Sequence, residues 1–81
     1  MTFEVGKTYP SAVEGVKFRV RMRFRVQDTD CLLVYPVTTF ALFGRTNKYY
    51  PAIIQTEPEF GGAAIVLLDY GFTTIYDEVS E

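Results

Sequence analysis

An 81-residue chain is one domain, and folding at this length buries only about 60–65% of the surface exposed by the unfolded chain. With 48% hydrophobic residues and 13 Phe or Tyr, it can fill a dense core, which excludes disorder as a description of the whole. The net charge of −2 conceals an asymmetry: all eight Lys and Arg lie at or before Lys48 beside four acids, a local balance of +4, whereas Tyr49 onward holds six acids and no base.

Phe3 to Tyr9 reads as an opening strand. The clearest signal follows in Val16-Lys17-Phe18-Arg19-Val20-Arg21-Met22-Arg23-Phe24-Arg25-Val26, where apolar and basic residues alternate over eleven positions. A period of two predicts a strand with one buried and one wet face. On that reading Phe18, Val20, Met22 and Phe24 enter the core, and Lys17, Arg19, Arg21, Arg23 and Arg25 form an outward row of cations about 26 Å long. Gln27-Asp28-Thr29-Asp30 reads as a turn, since Asp side chains bond to nearby backbone. Cys31 to Tyr35 then returns as the second arm of a hairpin.

Pro36 cannot donate a ladder hydrogen bond, so this strand is bent, bulged or at an edge there before Val37 to Phe43 continues. Gly44 to Asn47 is the next turn, and Tyr49 to Gln55 a strand with Pro51 as a second irregularity. Glu57 to Gly62 is a loop. In Ala63 to Tyr70 the apolar run has no period, so helix and strand compete; its length and flanking glycines favour a buried strand. After a turn at Gly71-Phe72, Thr73 to Val79 forms the last strand. The fold class expected is all-β: a small antiparallel barrel (SH3-like or OB-like) or a sandwich of five to six short strands, in a single domain over 1–81.

The chain contains no histidine, which removes the commonest general base and metal ligand and every Ser-His or Cys-His nucleophile. No catalytic residue, metal site or cofactor is expected, and the chain is read as a non-enzyme. Gly6-Lys7-Thr8 lacks the upstream glycine of a phosphate-binding loop, since that position is Met1. Asp28 with Asp30 falls short of a calcium site, and nothing assembles a pocket around Glu57 and Glu59. Cys31, alone, has no disulfide partner and reads as a small buried hydrophobe. The absence of a disulfide framework, of a signal-like opening and of any apolar run near 20 residues places the expected protein in a reducing cytoplasm, away from membranes.

Two readings of the basic strand stand side by side. Four of its five cations are arginine, which grips carboxylate and phosphate bidentately, so the row can be a contact for an acidic protein surface or a nucleic-acid-bearing complex. Alternatively, acids of the last 33 residues lie across from it as structural pairs. Tyr49 and Tyr50, beside Lys48 and with Phe43 and Arg45 across the turn, could stack on bases. The candidate partner-binding residues are therefore Lys17, Arg19, Arg21, Arg23, Arg25, Arg45, Tyr49 and Tyr50. The overall acidity favours a protein partner. A nucleic-acid-binding barrel and a self-assembling subunit, whose basic half meets the acidic half of a second copy, are the alternatives.

The segment Phe3-x-Val5-Gly6-Lys7-x-Tyr9, followed by Gly15-x-Lys17-Phe18-Arg19-Val20, resembles the opening of small phage-encoded β proteins. The resemblance covers about the first 20 residues. It implies an accessory phage protein acting in the host cytoplasm, a class that includes inhibitors of host defence and of host enzymes as well as minor structural proteins. It carries no functional residue with it.

Overall fold

A computed structural model describes residues 3–37, 48–56, 62–69 and 71–77. They form one antiparallel sheet of six strands in sequence order: β1 (Thr8–Pro10), β2 (Lys17–Val26), β3 (Thr29–Val37), β4 (Tyr50–Ile54), β5 (Ala63–Leu67) and β6 (Phe72–Tyr76). The sheet curls until its edges meet. Ser11, just past β1, bridges Ile75 of β6, and the Ala12 N–H donates to the Thr74 carbonyl at 2.8 Å. This is the barrel of the two expected architectures, nearly closed by a narrow seam, which limits the open edges on which sheets aggregate. There is no helix among the described residues, and none long and apolar enough to cross a membrane.

The interior is lined by one parity of each strand. Tyr9, Phe18, Val20, Leu32, Val34, Tyr50, Ala52, Ala64, Val66 and Ile75 are buried, with Phe3 and Val16 joining from the connecting turns. The apolar run Ala63–Leu67 is a strand, as its flanking glycines suggested. Phe3 and Tyr9 meet at 4.9 Å between ring centroids.

The opening segment departs from expectation. Phe3 to Lys7 is not a strand: the Lys7 N–H donates to the Glu4 carbonyl at 3.2 Å, closing a four-residue turn whose third residue is Gly6 at φ 89°. That conformation is open to glycine and costly for a side chain, so the glycine in Val-Gly-Lys overrides the extended pattern around it. The same device recurs at Val13–Val16 with Gly15 at φ 83°. The first hairpin turns on Gln27 and Asp28 alone, because Thr29 and Asp30 already pair with Val26 and Arg25.

Pro36 and Pro51 both sit where a missing N–H costs nothing. Val20 makes its two backbone bonds toward β1, to Lys7 and Gly6, and Phe18 shares that orientation. Pro36, opposite Phe18, therefore turns its nitrogen toward β4, whose pairing with β3 ends at Val34. Gln55 donates toward β5, so Pro51 faces that side too, one residue before the β4–β5 ladder begins at Ala52. The expected continuation of the second strand to Phe43, the turn at Gly44 to Asn47, most of the Glu57 to Gly62 loop and the end of the last strand lie outside the described residues.

Candidate binding surface

The long basic strand does not keep one parity. Val20 pairs with Val34 but Met22 pairs with Leu33, leaving Arg21 as an extra residue at a β-bulge. A bulge inserts one residue into one strand of a pair and so exchanges the faces of everything after it. Phe18 and Val20 point inward before it. Beyond it Arg23 stands opposite Leu32 on the interior side, and Met22, Phe24 and Val26 stand outside.

This corrects two expectations. Met22 and Phe24 are not core: Met22 is 44% exposed and Phe24 half-buried, and neither belongs to the core cluster. The five cations are not one row either. Lys17 and Arg19 share the outer face, exposed Arg21 stands at the bulge, and Arg23 and Arg25 are carried to the other side. The reason is that the alternation of residue types runs unbroken through Arg21 while the backbone parity does not.

The cations accordingly have different surroundings. Arg25 faces Asp30 across the hairpin at 3.6 Å, with both side chains largely in solvent. Burial, aided by the carboxylates of Asp77 and Glu4, holds the Tyr9 phenol above the ordinary tyrosine range, against the Glu4 N–H bond and half-buried Arg23, which favour its ionised form. The Tyr9 hydroxyl accepts the Glu4 N–H at 2.7 Å. Arg19 donates from Nε to Thr8 Oγ1 at 2.9 Å. Among the described residues, Lys17, Arg19 and Arg21 have no carboxylate at ion-pairing distance. The meander places β1 and β3 beside β2, so strands β5 and β6 do not supply cross-strand acids to it.

Of the two tyrosines expected to form a platform, only Tyr49 faces outward. It is 46% exposed and meets the Tyr35 ring edge-on at 5.6 Å, with Arg19 opposite Tyr35 on β2. Tyr50 is buried in the core, and Lys48 lies 5.5 Å from its ring centroid. Lys48 also pairs with Asp69, which raises its pKa above the usual lysine value. Arg45 and Phe43 lie outside the described residues.

Sequence reasoning missed the apolar outer face. Across β2 to β5 it holds Met22 opposite Leu33 and Phe24 opposite Cys31, then Leu33 opposite Pro51, Cys31 opposite Ile53 and Ile53 opposite Ile65. Leu67 and Phe72 extend it, 43% and 70% exposed. Between Phe24, Val26, Cys31, Pro51, Ile53 and Leu67 this face sinks into an open groove of about 390 Å³. Cys31 is buried, as expected, yet beneath this groove and outside the core cluster. A smaller polar pocket of about 220 Å³, lined by Asp28, Thr29, Asp30 and Gln55, adjoins it through Thr29 and Ile53. The available signal was the lack of alternation in Cys31-Leu32-Leu33-Val34 and Ala63 to Leu68, which is apolar on both sides of a strand.

Among the described residues no group of three acids or cysteines is placed to hold a metal ion. Compared with known proteins, the chain matches no family model, no curated protein and no solved structure.

Proposed function

We propose that this barrel is a non-enzymatic module that binds a protein partner on the outer face of β2 to β5. The observation that carries the reading is the apolar surface opposite the filled core, where Met22, Phe24, Leu33 and Leu67 remain partly in water. Contiguous exposed apolar surface on a small soluble domain marks an interaction site more often than chance scatter does. Lys17, Arg19 and Arg21 at one margin supply the charge that steers association and fixes register. The proposed biological setting, a phage accessory protein that disables a host or defence protein in the host cytoplasm, is supported by the resemblance of the opening residues.

Panning a random-peptide display library against the folded domain tests the reading. Selected peptides should lose binding to a Met22→Asp, Leu67→Asp double variant, whose two sites are exposed enough to leave the fold intact by circular dichroism. Selected peptides that bind this variant as well as the parent overturn it. So does an empty selection from a domain that instead binds single-stranded oligonucleotide with a steep salt dependence.

A further inference from the structure

The outer face is polarised along the strands, and the bulge makes it so. Before the bulge, Lys17 and Arg19 are outside beside Tyr35; after it, outward positions on β2 are Met22, Phe24 and Val26, because Arg23 and Arg25 have been moved to the opposite side. Beyond Val26 the groove ends at Gln27 and Thr29 and meets the pocket holding Asp28 and Asp30. Read along β2, one surface therefore runs from cationic to apolar to the turn carboxylate Asp28, since Asp30 stands opposite Arg25 on the other parity and pairs with it. Arg19 and Phe24 stand opposite Tyr35 and Cys31, which are four residues apart on the unbulged β3, about 13 Å in an extended strand, the reach of roughly four residues of an extended partner.

Resting on the binding-module reading, we infer that the partner presents a short segment, acidic at one end and apolar at the other. Its carboxylates lie over Lys17, Arg19 and Arg21 and its apolar side chains in the groove between Phe24 and Leu67. Charge complementarity selects this occupant: three cations without carboxylate partners among the described residues await anions. Asp28 at the far end repels a second acidic block and so sets the direction of the segment. A nucleic-acid strand fits poorly, since its charge is uniform and would run across an apolar middle toward carboxylates.

The test is fluorescence anisotropy with labelled probes at low salt. The first probe is a peptide of three carboxylate residues, a glycine and Leu-Phe-Leu; the second replaces the carboxylate residues by lysines; the third is a short oligothymidylate. The acidic peptide should bind at least about tenfold more tightly than the lysine peptide, the scale of a few complementary charge contacts. In a Lys17→Glu, Arg21→Glu variant, altered at two exposed positions, the preference should invert, and Met22→Asp with Leu67→Asp should weaken both peptides. Equal binding of both peptides, or a preference that survives charge reversal, overturns the acidic assignment and leaves the binding-module reading standing. Failure of the acidic peptide to bind a domain that does bind library-selected peptides overturns this inference alone. Oligothymidylate binding that displaces selected peptides overturns both.

Discussion

Deleting Arg21 separates a bulged strand from a straight one. In the bulged register Val20 faces Val34 and Met22 faces Leu33, which are already consecutive on β3. Removing Arg21 joins two ladder segments and leaves every other side chain on its present face. The loss is one exposed side chain and some local twist, so the expected cost is below about 2 kcal/mol, within the ordinary range for single changes away from a core. In a straight strand the same deletion would expel Met22 and Phe24 from the interior, at about 1.5–3 kcal/mol each, and drive arginines inward. Urea unfolding followed by far-ultraviolet circular dichroism measures the difference, the chain having no tryptophan; an unchanged m-value shows that the same surface is exposed on unfolding. Deletion of Arg19 is the control. It lies in unbroken pairing between Phe18 and Val20, so its removal forces one of those core residues outward and should cost several kcal/mol more. An Arg21 deletion that destabilises as much as the Arg19 deletion refutes the bulge.

The two faces of the hairpin should also separate under truncation: Leu32→Ala, at a fully buried site, should cost about 2–5 kcal/mol, and Met22→Ala about 1 kcal/mol or less, both by thermal melting. Because the Tyr9 pKa is raised in the folded state, chiefly by burial, its contribution is fully present below about pH 10 and is lost as pH rises through the folded value. Tyr9→Phe should flatten that alkaline decline while costing about 1 kcal/mol at neutral pH, since the Glu4 N–H loses its acceptor; an unchanged alkaline profile would show another group in control. Gln27 holds φ at 57° in the hairpin turn, so Gln27→Gly should stabilise by about 0.5–1 kcal/mol, read as a raised urea midpoint. Cys31, 8% exposed beneath the groove, should react slowly with a thiol reagent in the native protein and quickly in urea; native labelling at the unfolded rate would place it elsewhere.

Much of the fold was legible because strand and turn chemistry are local. The alternation from Val16 to Val26 specifies a strand, Asp28 helps mark its turn, and the glycines around Ala63 to Leu67 argue against a helix. The bulge was not legible, since a basic residue at position 21 continues the pattern of a straight strand, and only the pairing partner shows that β3 lacks a residue to match it. The candidate surface suffered from the same blindness: Met22 and Phe24 are large and apolar, and periodicity assigns such residues to a core. Tyr50 was misplaced for a related reason, because adjacent tyrosines in a strand face opposite sides and composition does not say which one is wet.

The narrow seam has a consequence for how the molecule comes together. Five of the six strand junctions join neighbours along the chain, that between β2 and β3 through a two-residue turn, and hairpins of this kind form in about 1–10 μs. The seam instead joins distant segments, as where the Phe3 N–H meets Asp77, 74 positions away. Loop-closure entropy grows by about 0.6 kcal/mol for each doubling of length, so the seam is the last junction to form and the first to part. Its parting loosens Phe3 and Ile75 at one side of the interior, while β2 to β5 keep their mutual ladders. The proposed contact surface thus rides on the most locally built part of the barrel and persists through fluctuations that open the ring.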